Sequence, residues 1–340
     1  RLADDFQLTI GNTLTVLSNG VLALQGRPVF SSGGNITLNN GYLSINACTQ
    51  LVCGGDLALT NGGKLYLVSG PTNSTTTNYG GLVSVVGDIL ISTNSWLYPY
   101  SDTNGGSCLL RMSNLRILTA NCGISAIGGG FLGNYGAVAG IGPGKGPSQR
   151  KGAGHGGLGG GYSGSVPGGD VYDVTNAPLQ PGSSGGGQAG SWGSPGGGVV
   201  RIEANGRVTV NGMVRANAGT PIAYTGAGSG GSIFIACQTF EGGSNGLLDA
   251  CGESSPGGGN GGGGGGGRIA VAIGLTAADI NNLIYNVPVN GYALATNYVA
   301  YLGNLIVSNG SGTSSGSNGV PGTFVFLIRT TQTGSIYTFY

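Results

Sequence analysis

The glycines of this chain are concentrated between short β-prone phrases that recur in the same order. The chain has 75 glycines among its 340 residues. The clearest phrases are GGGVVRIEA at 196–204, GGSIFIA at 230–236 and GGRIAVA at 266–272. Their cores are 34 residues apart from Val199 to Ile233 and 36 apart from Ile233 to Ile269. Periods of roughly 20 to 50 residues are typical of repeat architectures, in which each repeat covers the apolar face of its neighbour.

Short alternating strands also fill the first hundred residues, with Asn-Gly and Gly-Gly turns between them, as at Asn19 and Asn40. Antiparallel hairpins and stacked solenoid coils both fit this alternation. The repeated order of strand, link, strand, link, strand and glycine-rich return favours the coils. We therefore predict an all-β fold, an elongated parallel β-helix (β-solenoid) with ordered glycine-rich insertions.

The longest glycine-rich stretch lies between Gly123 and Gly198 and has few strand formers. A flexible linker is one interpretation. Each ordered glycine, however, costs about 0.5–1 kcal/mol relative to alanine, so serine, threonine and proline would make a cheaper spacer. Glycine lets backbones approach closely and bond to one another. Ordered, polyglycine-II-like packing is the favoured interpretation, here and in the run that ends at Gly267.

The pattern changes after Ala272. Thr276, with Asp279 three positions on, is typical of a capping box and predicts one short helix. A last core strand is predicted at 323–328 and a β-prone tail at 335–340. The resulting division is 1–106 for N-terminal β-rich coils, 107–273 for glycine-rich solenoid repeats and 274–340 for a C-terminal cap with a short helix and terminal strands.

The chain carries few charges. Only 7% of its residues are charged and the formal net charge is +1, against about 25% charged residues in an ordinary domain. Such a surface has little self-repulsion, so we expect an ordered protein prone to assemble with copies of itself. No basic arm or acidic tail indicates a nucleic-acid or anionic-membrane partner. No apolar run is long enough for a membrane span, and nothing at Arg1 resembles a signal peptide.

The six cysteines form an even set whose simplest pairing is sequential, although six cysteines allow 15 connectivities. The candidates are Cys48 with Cys53, Cys108 with Cys122, and Cys237 with Cys251. Metal binding is the alternative, but no Cys-x-x-Cys occurs and the chain has a single histidine. No metal or cofactor is predicted. Disulfides would indicate an oxidising, extracellular or cell-surface location.

The order of these phrases resembles glycine-rich repeat regions of very large secreted bacterial surface proteins. The resemblance covers roughly residues 107–328 and includes LRI at 115–117, GAGHGG at 152–157, GGGVVRI at 196–202 and GGRIAV at 266–271. It implies a β-solenoid stalk or adhesin without assigned catalytic residues. The paired cysteines and the shorter chain depart from that pattern, which also fits a self-assembling subunit.

Candidates for chemistry are few, because the chain has only 12 acidic residues. Asp170 and Asp173 are the best-spaced carboxylates for a polysaccharide-cleaving site, but a solvated loop is the favoured interpretation. His155 with a serine and an aspartate could form a triad, yet no nucleophile-elbow phrase accompanies it. A structural hydrogen bond or an exposed ring is favoured, and the chain is not predicted to be an enzyme.

Several surface features could contact partners. Arginines recur at comparable places in the repeats and suggest an external ladder or solubilising strand faces: Arg111, Arg116, Arg201, Arg207, Arg215 and Arg268. Asn35, Asn73 and Asn309 begin Asn-x-Ser/Thr glycosylation sequons. The tyrosines, with Trp96 and Trp192, would stack on sugar rings where they are exposed.

Three functions from different classes remain open. The first is an extracellular structural subunit that self-assembles into a fibre, sheath or surface layer. Strand addition by Phe6–Ile10 or by the tail containing Ile336 and Tyr340 would join the copies. The second is an adhesin or carbohydrate-binding module that contacts extracellular polysaccharide. The third, the least favoured, is a polysaccharide-cleaving β-helix enzyme.

Overall fold

The structure is a computed structural model that describes residues 6–72, 78–163, 167–256 and 259–330. These residues form strands and irregular segments with a single α-helix. The expectation of a mostly β chain is therefore confirmed.

Twenty-five strands follow one another along the described chain. The first twelve are β1 (Gln7–Ile10), β2 (Leu14–Leu17), β3 (Val21–Leu24), β4 (Val29–Ser32), β5 (Ile36–Asn39), β6 (Tyr42–Cys48), β7 (Gln50–Cys53), β8 (Leu57–Thr60), β9 (Lys64–Ser69), β10 (Gly81–Val85), β11 (Ile89–Ile91) and β12 (Trp96–Tyr100). Next come β13 (Cys108–Met112), β14 (Leu115–Ile117), β15 (Gly123–Ser125), β16 (Val199–Ala204), β17 (Arg207–Val210), β18 (Met213–Arg215), β19 (Ser232–Cys237), β20 (Thr239–Glu241), β21 (Leu247–Asp249) and β22 (Arg268–Ile273). The helix α1 (Ala277–Ile284) precedes β23 (Tyr292–Ala295), β24 (Asn304–Ile306) and β25 (Thr323–Arg329).

Every third strand joins the same sheet. The first sheet has the order β1-β4-β7-β10-β13-β16-β19-β22-β25-β23, the second runs from β2 to β20 and the third from β24 to β3. All the pairings are parallel except that of β23 with β25. Antiparallel hairpins are thus not the organising unit. Three short strands per turn with parallel stacking are consistent with a solenoid-like fold.

The core lies inside the three sheets. Along β9 and β12, leucines alternate with outward-facing residues, and Leu65, Leu67 and Leu97 are fully buried. Parallel pairing brings the same position of each coil into line, about 4.8 Å from its neighbour. The inward residues therefore form one continuous apolar core that runs from coil to coil.

The glycine-rich insertions leave the coils at one corner, between a third-sheet strand and the next first-sheet strand. Early first-sheet strands begin 22 and 21 residues apart, at Gln7, Val29 and Gln50. Later coils carry insertions there, at 126–198, 216–231, 250–267 and 307–322. We call the described residues of these four segments the glycine layer. The first sheet continues across positions 107 and 273, from β10 to β13 and from β22 to β25.

Hydrogen bonds in the glycine layer repeat every three residues. The successive amides of 262–267 donate in turn to three neighbouring segments, at 150–153, 317–320 and 250–253. The pairs are Gly262 and Gly265 with Arg150 and Ala153, Gly263 and Gly266 with Ser317 and Val320, and Gly264 and Gly267 with Glu253 and Ala250. The run at 262–267 is thereby hydrogen-bonded to neighbouring segments on three sides.

Close approach of backbones explains why glycine fills this layer. A Cβ added at Gly263 would overlap the carbonyl oxygen of Gly310, and one added at Gly160 would overlap that of Ser317. Both contacts are with backbone, which cannot swing aside as a flexible side chain can. The layer therefore has no room for side chains at these positions.

The first sheet is buried on both faces in its later coils. Every residue of β19 and β22 is buried. A second apolar cluster joins the outer face of these strands to α1, with Phe234, Leu275 and Leu283 among its members. Strands covered on both sides are expected to be continuously hydrophobic, which accounts for SIFIAC and RIAVAI. The predicted capping box is confirmed, since Thr276 and Asp279 bond reciprocally at the start of α1.

Candidate functional site

A buried polar cluster joins the longest insertion to the first sheet. His155 Nε2 lies 3.4 Å from Asp173 Oδ2, and the hydroxyl oxygen of Ser232 lies 3.2 Å from the same atom. His155 Nδ1 lies 2.8 Å from the carbonyl oxygen of Gly230. Both ring nitrogens of His155 therefore face polar partners within the cluster.

The interpretation that Asp173 lies in a solvated loop is wrong, because its side chain is buried. Its carboxylate is nearly inaccessible and accepts hydrogen bonds from the amides of Val174, Leu179 and Gln180. Asp170 is exposed, so the two carboxylates do not share a site. The charge-assisted hydrogen bonds that the Asp173 carboxylate accepts fix the backbone conformation around it.

The His, Asp and Ser combination does not expose a nucleophile. His155 and Ser232 are fully buried, and the Ser232 hydroxyl donates to the carbonyl oxygen of Gln180 at 2.6 Å. A substrate could not reach this hydroxyl without displacing the glycine layer. The cluster ties the insertion to the first sheet. Of the two interpretations of His155, a structural hydrogen bond or an exposed ring, the buried ring fits the first.

A second connection of this kind is built on Arg268. Its guanidinium Nε donates to the carbonyl oxygen of Tyr172, and Nη1 donates to the hydroxyls of Thr175 and Thr323. Burial lowers the pKa of Arg268, an effect opposed by the charge of Asp173. Strand β22 and the insertion are thus tied together within one coil spacing of Ser232.

The repeated arginines do not form a single ladder. Arg111, Arg201 and Arg268 lie on the first sheet, Arg116 and Arg207 on the second and Arg215 on the third. Five of them pair with an acidic side chain: Arg111 and Arg201 with Glu203, Arg116 with Asp88, Arg207 with Glu241, and Arg215 with Asp249. Apart from Glu203 beside Arg201, the acidic partners lie on neighbouring coils, so comparison of the repeats along the sequence does not reveal them.

Aromatic rings form a row on the outer face of the third sheet. We define the aromatic row as Tyr42, Tyr66, Trp96, Tyr98 and Tyr100. The centroids of Tyr66 and Tyr98 are 4.2 Å apart in a stacked pair, and Tyr42 lies 5.0 Å from Tyr66. Burial, together with the neighbouring phenols, raises the pKa of Tyr98 and of Tyr100. All five side chains are half-buried, with one side toward solvent.

Trp192 does not join this row. It is exposed on the glycine layer, where its ring lies 5.6 Å from that of Tyr135 in an edge contact. Of the two tryptophans proposed as sugar-stacking residues, only Trp96 therefore has a neighbouring aromatic surface on the third sheet.

The six cysteines are free thiols, so the predicted sequential disulfides are not formed. Cys48 ends β6 and Cys53 ends β7, so the two thiols lie at opposite ends of β7. Members of the other two pairs lie at different corners of a coil: Cys108 and Cys122 next to β13 and β15, and Cys237 and Cys251 next to β19 and β21. Burial raises the pKa of the Cys108 thiol to about 12 and, with Asp249, that of Cys251 to about 11.

The remaining predicted positions are distributed over both ends of the chain. Strand β1 is the outermost described strand of the first sheet. Asn35 is exposed and its Oδ1 accepts from the Asp56 amide, whereas Asn309 is half-buried and its Nδ2 donates to the carbonyl oxygen of Gly310. Asn73, Ile336 and Tyr340 lie outside the described residues.

A cleft that the sequence did not indicate lies between the first sheet and α1. It encloses about 590 Å³ and has Glu203 between Arg111 and Arg201 on its floor. Arg111 is 92 positions from Glu203 in the sequence, whereas Arg201 is two positions from it. Only the pairing of β13 with β16 brings Arg111 opposite Glu203.

Comparison with known proteins gives no family assignment. In the described part of the chain, no group of three or more potential metal ligands occurs. Nor does that part contain a helix with the length and apolar character needed to cross a bilayer. No protein-family model, curated protein or solved structure matches the chain.

Proposed function

We propose that this chain is a non-enzymatic structural subunit of an extracellular fibre, sheath or surface layer. In this proposal the three sheets form a parallel β-helix and the glycine layer packs in a polyglycine-II-like manner. Copies join end to end. The resemblance to secreted bacterial surface proteins supports the location, whereas the cysteines, which are free thiols, do not.

The observation that carries the proposal is that, among the described residues, the apolar core is only partly covered at both ends of the coil stack. Leu8, Leu14 and Leu22 of the first coil are only partly buried against the core. At the other end, Val299 is 92% exposed and Leu302 71% exposed, beside an open cavity of about 350 Å³. Two different apolar surfaces on one subunit favour a head-to-tail contact, which produces an open filament when the rotation does not close.

Backbone groups at the first coil also support end-to-end pairing. Leu14 and Ser18 donate to Asn35 and Asn39 of the next coil. In a parallel strand the alternate amides, here Thr15 and Leu17, then face the opposite edge. An edge of unpaired amides and carbonyls is a template for another chain. Strand addition by residues 335–340 remains part of the proposal.

Charges placed at the C-terminal end are expected to prevent assembly. The double variant Val299→Lys, Leu302→Lys should raise the critical concentration for filaments at least tenfold, because each lysine would have to be desolvated in the contact. Thr15→Pro should act similarly at the first coil by removing an outward amide.

Negative-stain microscopy and sedimentation velocity measure this effect. Leu118→Lys is the matched control, since Leu118 is 43% exposed in the middle of the stack and should leave assembly unchanged. Dispersed monomers of the unsubstituted protein at high concentration, or equal filament formation by all variants, would refute end-to-end assembly.

A carbohydrate-binding role is the second candidate, and the aromatic row favours it. The C–H faces of sugar rings pack on the π-faces of aromatic side chains, and the row extends over three coils. In the third sheet, the charged residue Lys64 pairs with Tyr42 on one neighbouring strand and with Trp96 on the other. A flat surface with little charge suits a neutral glycan chain.

Replacing two central rings tests the second candidate. The variant Tyr66→Ser, Tyr98→Ser should weaken binding to neutral oligosaccharides on a glycan array at least tenfold, because aromatic stacking contributes about 1–3 kcal/mol per ring in comparable platforms. Trp192→Ser is the control, since Trp192 lies away from the row. Absence of neutral-glycan binding by the unsubstituted protein, or equal binding by both variants, argues against this role.

A further inference from the structure

The cleft beneath α1 combines a fixed charge cluster with an open entrance. Its walls come from the outer face of the first sheet on one side and from α1 on the other. Volumes of about 300–1,000 Å³ are usual for small-molecule sites. The 590 Å³ of this cleft lies within that range.

The floor of the cleft holds two cations and one anion. Arg201 is buried and donates from Nε and Nη2 to Glu203 Oε1, while Nη1 donates to the carbonyl oxygen of Asn78. Arg111 Nε donates to the other oxygen of Glu203 at 2.9 Å. Burial raises the pKa of Glu203, but the Arg201 charge and hydrogen bonds from both arginines hold it below the usual value. The cluster keeps one net positive charge.

That positive charge is presented to the cleft by Arg111. Its side chain is 51% exposed, and within the described residues its only ion pair is through Nε to Glu203. The two Nη groups remain for a ligand. Guanidinium groups bind carboxylates through two parallel hydrogen bonds, so this arrangement suits a planar anionic group.

The remaining walls offer amides and an apolar surface. Asn205, Gln238 and Asn281 line the cleft, and Gln238 uses Nε2 for the carbonyl oxygen of Leu275, which leaves Oε1 as an acceptor. Ile280 and Ile284 of α1 contribute the apolar side. Amide donors and acceptors around an apolar wall match a ring that carries hydroxyl groups on its edge and C–H groups on its faces.

We propose that this cleft binds a uronic acid residue of an acidic polysaccharide, with the carboxylate paired to Arg111 and the hydroxyl groups bonded to the surrounding amides. The inference goes beyond the structural role and does not depend on filament formation. It also differs from the aromatic row, which has no comparable cation pair and suits neutral glycans.

Isothermal titration calorimetry with oligouronates tests the site. Probes are the galacturonate, glucuronate and mannuronate trimers, each beside its methyl ester, and the galacturonate monomer. We expect at least one trimer to bind, and its methyl ester to bind at least about tenfold more weakly. Arg111→Gln should weaken binding of the free-acid trimer by the same factor. A trimer that binds more tightly than the monomer identifies a polymer as the source of the carboxylate.

Arg116→Gln is the matched control. Arg116 is 52% exposed and pairs with an acid on a neighbouring coil, as Arg111 does, but it lies on the second sheet. It should leave binding unchanged. In Arg111→Gln, Glu203 keeps Arg201, so the fold should survive, and an unchanged melting curve checks this. No binding of any trimer, or equal binding by Arg111→Gln and the unsubstituted protein, overturns the proposal, and microscopy of the same samples tests assembly separately.

Discussion

Replacing Gly263 with alanine is expected to lower the free energy of unfolding by about 3 kcal/mol. The added Cβ would overlap the carbonyl oxygen of Gly310, and the Gly263 amide is bonded to Ser317 on another segment. Alanine is compatible with the backbone conformation there, because no left-handed φ occurs at this glycine. The cost therefore arises from separating packed segments of the glycine layer.

Gly11→Ala is the matched control. Nothing lies within 4 Å of a Cβ added at Gly11, and its φ also lies outside the left-handed region. It should change stability by less than about 0.5 kcal/mol. Thermal melts followed by circular dichroism compare the two variants. Equal melting temperatures would show that the segments around Gly263 are not in close contact.

Removing the carboxylate of Asp173 is also expected to lower the free energy of unfolding strongly. Asp173→Ala should cost about 3–5 kcal/mol, because it leaves His155 and three backbone amides without their buried acceptor. Asp173→Asn separates the loss of charge from backbone strain, since Asp173 has a φ of 68° and asparagine tolerates that conformation. Asparagine should therefore lose less stability than alanine and more than the control.

Asp170→Ala provides that control three positions away on an exposed side chain. It should leave the unfolding curve unchanged within about 0.5 kcal/mol. If Asp173→Ala unfolds at the same denaturant concentration as Asp170→Ala, the buried cluster does not stabilise the fold.

The alternation of residues predicts strands where one face is buried and the other exposed. The alternating sequence Val21–Leu24 forms β3, and the alternating sequence at 64–67 lies within β9, which extends two residues further. The short strands β4 and β7 were not predicted, since parallel pairing with the neighbouring coils stabilises them more than their own pattern does. Their existence nevertheless completes the first sheet in the early coils.

The polar sites depend on contacts between distant positions, which one sequence does not reveal. Asp173 reaches Ser232, 59 residues away, only because the insertion folds back over β19. The cleft likewise needs α1 to pack over the pairing of Arg111 with Glu203. Capping of α1 was predictable because Thr276 and Asp279 are local neighbours. Local chemistry was therefore easier to predict than chemistry assembled by the coils.

Native-state hydrogen exchange of the glycine amides tests whether the glycine layer is ordered. The amides of 262–267 donate in turn to three neighbouring segments. The amides of 262–267 should therefore exchange as slowly as those of the adjacent strand β22. Exchange of these glycines at the rate of an unstructured chain, while β22 stays protected, would contradict an ordered glycine layer.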